Sequence, residues 1–299
     1  MTAPLKRSPV IFGCSGVALT PDEDRFFRDV QPHAFILFAR NIGTADEVRA
    51  LCAALRAAVA DDDALIFIDQ EGGRVARLKP PLAAARGPMA RFEAWGDLGA
   101  AADAVFAHHR LMAAELMALG INADCSPVCD IRVPGAHDII GDRAFSEDPN
   151  VVARLARAAA DGLLAGGVMP VIKHIPGHGR AGADTHEQGA VIDTDLVTLA
   201  ATDFVPFKAL RDIPYAMTAH VTLTAVDPDR CVTLSKHAID TVIRGTIGYH
   251  GLLMSDDLSM RALGGDMTTR GRDALSAGCD LLLHCNGDMA EMVAVAAAL

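Results

Sequence analysis

The segment DPNVVARLARAAADGLLAGGVMPVIKH, residues 148–174, decides the fold. Asp148 followed by Pro149 reads as a helix N-cap with proline at the first helical position, where its missing N–H costs nothing. The helix runs through VVARLARAAADGLLA and stops at Gly166-Gly167. An apolar run, MPVIKH (169–174), follows at once. A helix leading directly into a continuously apolar strand is the unit from which parallel sheets covered on both faces are built.

Working outward, the same unit recurs. Apolar runs lie at VIFGCSG (10–16), AFILFAR (34–40), ALIFID (64–69), INADCSPV (121–128), YAMTAH (215–220), LLMSDD (252–257) and CDLLLHC (279–285), which with MPVIKH makes eight candidate strands. Helical patterns fall between them. Thr44 and Glu47 form a capping box ahead of the stripe Val48, Leu51, Cys52, Leu55 and Val59. AVFAHHRLMAAELMALG precedes the fourth strand and TRGRDALSAG the eighth. Eight alternations predict a (β/α)₈ barrel, with an open doubly wound sheet as the alternative. No GxGxxG follows the first strand and there is no Walker-type loop, which leaves nucleotide binding without support. The stretch 70–94, with KPP and RGP, reads as a long loop, and residues 1–299 are expected to form one domain.

Composition agrees with that picture. The chain has 299 residues, 51% of them hydrophobic, and a net charge of −11. Length suits one barrel of about 250 residues with long loops. The acidic balance and the lack of a basic run argue against nucleic acid and anionic membrane as partners. No apolar run approaches the roughly 20 residues needed to span a bilayer, and no leader pattern precedes the first strand, so a cytoplasmic location is expected. The seven cysteines are odd in number and sit mostly in apolar segments, which reads as buried free thiols in a reducing compartment.

In barrels of this kind chemistry sits at the carboxyl ends of the strands. Here those ends are polar: Arg40-Asn41, Asp69-Gln70-Glu71 with Arg74 and Arg77, Lys173-His174, His220, Ser255-Asp256-Asp257 and His284-Cys285-Asn286. Six such ends make a hydrogen-bonding mouth suited to a hydroxyl-rich small molecule. Between residues 173 and 189, KHIPGHGRAGADTHEQG adds three histidines and an aspartate. On residue types alone His174, His178, Asp184 and His186 are also a candidate zinc set, although the spacing H-x3-H-x7-H matches no established pattern. Of the adjacent carboxylates Asp256 and Asp257, strand alternation lets only one face the mouth.

The motifs KHIPGHG (173–179) and DTH (184–186), with IDQEGGRVARL upstream and MSDDLSM downstream, resemble glycoside hydrolase family 3. FILFARNI, IGDRAFSEDP and GCDLLLHCNGD match the same pattern in the same order, and the resemblance runs from about residue 10 to 290. Within the family the likeness is to β-N-acetylglucosaminidases of the NagZ type. It implies a retaining hydrolase that removes terminal β-linked N-acetylglucosamine, in the cytoplasm, from peptidoglycan fragments during cell-wall recycling. It assigns Asp256 as nucleophile and His186, paired with Asp184, as acid/base. It places Asp69, Arg77, Arg143, Lys173 and His174 on the sugar.

That chemistry is physically coherent. Retaining cleavage needs a carboxylate on one face of the anomeric carbon and a proton donor at the leaving oxygen. A histidine of near-neutral pKa, oriented by an aspartate, can donate and later reclaim that proton. No cofactor or metal is required. Glu71 and Arg74 are expected to brace the loop, His178 to anchor the PGHG turn, and His220 and His284 to act from behind the mouth. Gly177, Gly179 and Gly182 suggest a segment able to swing. Partners beyond the small-molecule substrate are not expected, and the chain reads as a monomer or weak dimer. A phosphorylase using the same residues, a β-glucosidase, and a sugar-binding barrel without catalysis are the remaining alternatives.

Overall fold

The computed structural model describes residues 5–182 and 189–299. Eight parallel strands close into a barrel: β1 (Ser8–Gly13), β2 (Pro32–Leu37), β3 (Leu65–Ile68), β4 (Ala123–Asp124), β5 (Met169–Ile175), β6 (Tyr215–Thr218), β7 (Leu252–Asp257) and β8 (Leu281–His284). Each pairs with its neighbours in sequence, and β8 returns to β1 through Val10↔Leu282, Ile11↔Leu283 and Phe12↔His284. The fold is the expected (β/α)₈ barrel rather than an open sheet.

Nine helices pack around it among the described residues: α1 (Pro21–Val30), α2 (Ala45–Ala58), α3 (Leu98–Ala118), α4 (Pro149–Ala165), α5 (Leu196–Ala201), α6 (Phe204–Ala209), α7 (Lys236–Ala238), α8 (Met267–Ala277) and α9 (Met289–Ala296). The capping box at Thr44 and Glu47 forms, and Asp148 caps α4 by accepting from Asn150 and Val151. Asp97 starts α3 at Leu98, six residues before the predicted pattern, by accepting from the Ala100 amide. α7 continues into a π-helix, Ile239–Ile247. None of these helices is long and apolar enough to cross a membrane.

The strand residues divide by parity. Ile11, Ala34, Ile36, Phe67, Val171, Met254, Leu281 and Leu283 fill the barrel interior. Val10, Phe12, Phe35, Leu37, Ile66, Ile68, Ile172, Leu253 and Leu282 face the helices. Both sets are apolar, which is why the strands read as continuous runs rather than alternating ones. The α3–α4 contact is close because Gly162 has no side chain; a Cβ there would lie 2.5 Å from the Phe106 carbonyl oxygen.

β4 is shorter than INADCSPV suggested. Pro127 has no N–H to give a ladder, so the chain keeps station beside β5 through single bonds instead. Val171 N donates to Ser126 O (3.0 Å), Lys173 N to Pro127 O (3.2 Å) and Cys129 N to Lys173 O (2.7 Å). The stretch after β3 is a loop with one small antiparallel ribbon, Gln70–Gly72 with Val75–Ala76, and a 3₁₀ turn at Met89–Trp95. A second short ribbon pairs Ala190–Ile192 with Val221–Leu223, which the sequence did not announce.

Candidate active site

Parity carries the inner face past the strand ends. Phe67 is followed two residues on by Asp69, Val171 by Lys173, Met254 by Asp256 and Leu283 by Cys285. Asp69, Lys173, Asp256 and Cys285 line one cavity of about 250 Å³ at the carboxyl end of the barrel. Arg77, Arg143 and His174 line it as well, so six of the eight residues expected to work together meet there. Asp184 and His186 lie outside the described residues. The size is at the small end of ligand pockets, about 300–1,000 Å³, and suits a single compact molecule. Its lower wall is apolar, with Ile36, Met217 and Leu283, so a polar ligand is met by charge on one side and by carbon on the other.

The charged side is an interlocked ring. Lys173 Nζ lies 2.8 Å from Asp69 Oδ1 and 2.6 Å from Glu71 Oε1. Arg77 Nη2 donates to Asp69 Oδ2 at 3.0 Å, and its guanidinium lies 5.0 Å from the centroid of Phe38. Arg143 grips Glu71 with two parallel bonds of 2.8 Å, from Nε to Oε2 and from Nη2 to Oε1. Burial alone would raise the Asp69 pKa, but Lys173 and Arg77 outweigh it and hold the group far below the ordinary range. Glu71 is likewise desolvated, yet Arg143 and Lys173 pull it down to about 2. Lys173 is held well above its ordinary value by Asp69 and Glu71 despite burial. Asp69, Glu71 and Lys173 are therefore ionised at neutral pH. Glu71 is 2% exposed and works as the brace that aims Lys173 and Arg143. Arg74 braces the neighbouring loop, donating to the carbonyls of Asp138, Ile139 and Ile140.

His174 is set by Asp130, a residue the sequence reading passed over. Asp130 Oδ2 lies 2.7 Å from His174 Nδ1, and Oδ1 accepts the His178 amide at 2.7 Å. A carboxylate partner places a proton on Nδ1 and fixes the orientation of the ring. Burial would raise the Asp130 pKa, but His174 dominates and lowers it. The signal was available, because Asp130 closes the fourth strand's loop as Asp69 closes the third. Asp124 lies deeper in the barrel, accepting the Gln70 amide at 2.9 Å, and burial pushes its pKa well up.

The PGHG turn is firmly held. His178 is buried, its ring 5.6 Å from that of His174, and burial together with His174 lowers its pKa to about 4. Gly179 is not a hinge: a Cβ there would collide with the Ile131 carbonyl, so the glycine serves close approach. Arg180 Nε donates to Asp203 at 2.7 Å, and the Ala181 carbonyl accepts from His137 N at 3.0 Å. The segment expected to swing at Gly177, Gly179 and Gly182 is thus anchored through Ala181.

Asp256 and Asp257 have different surroundings. Asp257 Oδ1 accepts from the amides of Ser259 (3.0 Å) and Cys285 (3.1 Å), and Oδ2 from the Ser259 hydroxyl (2.6 Å). Its carboxylate is committed to holding the chain after β7. Asp256 has the Asp257 amide on Oδ1 at 2.8 Å, and both aspartates border the cavity, although alternation along the strand predicted only one. Other strand-end residues do not reach the mouth. Arg40 and Asn41 bond the Cys14 carbonyl, His284 bonds Glu291 at 2.9 Å, and Asn286 bonds Glu291 at 2.6 Å. His220 bonds the backbone of β7 from behind. Among the described residues no group of three or more His, Cys, Asp or Glu is arranged to hold a metal ion.

Comparison with known proteins places this geometry in a lineage. Residues 18–299 match the glycosyl hydrolase family 3 N-terminal domain. A β-hexosaminidase of Bordetella pertussis is 37% identical over 296 residues, covering 96% of this chain and 82% of its own. NagZ from Neisseria gonorrhoeae in complex with a zinc ion superposes with a TM-score of 0.85 at 32% identity, covering 94% of this chain and 81% of that one. The same enzyme in complex with N-trifluoroacetyl-D-glucosamine gives 0.87 at 31% identity, with 98% and 88% covered. The chain belongs to glycoside hydrolase family 3 and is a glycoside hydrolase of the β-hexosaminidase, NagZ-like type.

Proposed function

We propose that the protein is a retaining exo-β-N-acetylglucosaminidase acting through a glycosyl-enzyme on Asp256. The observation that carries this reading is that Asp256 lines the same small cavity as the ring of Asp69, Arg77, Arg143 and Lys173. A sugar bound by its hydroxyls to that ring and to His174 presents its anomeric carbon to Asp256. Asp69 accepts hydroxyl protons, whereas Arg77, Arg143 and Lys173 donate to oxygens. Asp256 attacks the anomeric carbon as the leaving oxygen takes a proton, and water, giving up a proton, then attacks the same carbon and displaces Asp256. His186 with Asp184 supplies and reclaims that proton, and no cofactor takes part.

The N-trifluoroacetyl-D-glucosamine complex of the Neisseria enzyme supports an N-acylated amino sugar in this site. On the same likeness, the natural substrate is a cytoplasmic peptidoglycan fragment, N-acetylglucosamine linked to anhydro-N-acetylmuramic acid with or without peptide. The work is then cell-wall recycling, carried out by a single catalytic barrel domain, 1–299, as a monomer or weak dimer.

The test compares nitrophenyl β-N-acetylglucosaminide with nitrophenyl β-glucoside, each with and without phosphate and a chelator, for the wild-type chain and Asp256→Ala. We expect turnover of the glucosaminide without phosphate, undiminished by chelator and lost in Asp256→Ala. A preference for the glucoside would overturn the substrate. A phosphate requirement would make the enzyme a phosphorylase. Loss on chelation with recovery on zinc would move His174, His178 and their neighbours from acid/base and binding roles to metal ligation, and the zinc complex of the Neisseria relative makes that arm worth running.

A further inference from the structure

Backbone hydrogen bonds at the end of β7 pose an accounting question. The ladder between β6 and β7 pairs Leu252↔Tyr215, Leu253↔Ala216 and Met254↔Met217, then stops. On the other side the register with β8 slips between Met254 and Asp257. The pairing toward β6 thus ends two residues before Asp256, and that toward β8 resumes only at Asp257↔Leu283, at the point where a reacting carboxylate must be held still. Buried N–H and C=O groups do not go unpaired without cost.

Side chains add further bonds on both sides. Toward β8, the Ser255 hydroxyl accepts from Leu283 N at 2.9 Å and Asp257 accepts from Cys285 N at 3.1 Å. Toward β6, the Asp256 amide donates to Thr218 Oγ1 at 3.3 Å. Thr218 Oγ1 lies 2.7 Å from Thr233 Oγ1, which lies 2.8 Å from His220 Nδ1. His220 Nε2 reaches the Asp257 carbonyl at 3.1 Å. Thr218 and Thr233 are fully buried and His220 is 1% exposed, so water does not substitute for any member.

The proton directions in this loop follow from one end. The Asp257 carbonyl only accepts, so His220 Nε2 carries a proton and donates it. Burial lowers the His220 pKa, although Asp256 opposes the shift, and the neutral ring leaves Nδ1 as an acceptor. Thr233 must then donate to Nδ1 at 2.8 Å, in preference to the longer contact of 3.3 Å with the Ala219 carbonyl. Thr218 must donate to Thr233, and it keeps its lone pairs for the Asp256 amide. Each hydroxyl gives one proton and receives one, and the chain ends on the Asp256 amide at one side and the Asp257 carbonyl at the other.

We infer that Thr218, Thr233 and His220 are positioning residues for the nucleophile, forming a side-chain relay that fixes the backbone of Asp256 from behind the barrel wall. This rests on Asp256 being the nucleophile. None of the three touches the sugar in this reading. Thr233 comes from the 3₁₀ turn Val232–Leu234, so the relay also ties the loop after β6 to the catalytic strand.

The experiment uses the full chain with Thr233→Val, Thr233→Ser and Asp256→Ala, assayed on nitrophenyl β-N-acetylglucosaminide with thermal melts alongside. Valine keeps the shape of threonine and removes the hydroxyl; serine restores it. Misplacing a reacting group by a fraction of an ångström to 1 Å is enough for a kcat loss on the order of 10- to 100-fold. We expect that loss in Thr233→Val with KM unchanged, and recovery of most of it in Thr233→Ser. Wild-type kcat in Thr233→Val, a change confined to KM, or equal damage in the serine variant overturns the inference. If Thr233→Val does not fold, Thr218→Val breaks the adjacent link and is judged by the same kcat criterion. Asp256→Ala keeps the two readings apart. Retained turnover there sinks the nucleophile assignment, whereas a dead Asp256→Ala beside a fully active Thr233→Val sinks only the relay.

Discussion

Replacing Glu71 with glutamine should unfold this protein more readily than any change of similar size on its surface. Glu71 is 2% exposed and accepts from three charged donors: Arg143 at 2.8 Å twice and Lys173 at 2.6 Å. Its ring holds two carboxylates, Asp69 and Glu71, against Lys173, Arg77 and Arg143. Glutamine would leave Asp69 alone facing three cations. Removing one partner of a buried ion pair costs about 3–5 kcal/mol, mostly through the charges left behind. Proton linkage gives a second route to the size. A carboxyl lowered from 4.5 to about 2 contributes roughly 3 kcal/mol at neutral pH. The two figures agree.

The sign is fixed by the direction of that shift. A depressed folded-state pKa gives stability that is complete above 4.5 and is lost as pH falls toward 2. At pH 7 the melting temperature of Glu71→Gln should fall by about 6 °C or more, at roughly 2–4 °C per kcal/mol for a chain of this size. The gap to wild type should narrow as pH drops below 4.5. Paired melts from pH 7 down to about pH 3 read both effects. A variant within about 1 kcal/mol of wild type at pH 7, or a gap that widens in acid, would refute the view that Glu71 braces the ring.

Asp130→Asn should raise KM about tenfold with a smaller change in kcat, because His174 loses the charged partner that keeps its proton on Nδ1; an unchanged KM would remove His174 from sugar binding. Gly179→Ala should lower the melting temperature and reduce turnover, since the added methyl meets the Ile131 carbonyl and must displace the turn leading to residues 183–188. Native protein at neutral pH should take up little iodoacetamide, because burial pushes Cys14 up to about 12 and Cys52 to about 11, and Cys285 at the mouth is also raised. Peptide mass spectrometry should show labelling rise sharply only after denaturation.

The (β/α)₈ order was legible because strands buried on both faces must be apolar throughout, and helices announce their starts through local bonds. Thr44 with Glu47, and Asp148 with Pro149, are capped as their neighbours in sequence dictate. The same rule made Asp69, Lys173 and Asp256 readable, since each stands two residues beyond an inward-facing apolar residue. β4 was less legible, because a single proline at 127 replaces a ladder by separate bonds that only the neighbouring strand supplies.

The sequence by itself determined the barrel, its polar mouth and the family, because periodicity, caps and ordered motifs are local along the chain. Which residue serves which was left to the tertiary structure. Glu71 and Arg143 are 72 positions apart, Lys173 and Asp69 are 104, and His174 and Asp130 are 44. That the Asp257 carboxylate is taken up by Ser259 and Cys285 was also left to the tertiary structure. Such pairings depend on which strand ends the closed barrel brings within about 3 Å of one another, and hydrogen bonds and ion pairs form only at that range.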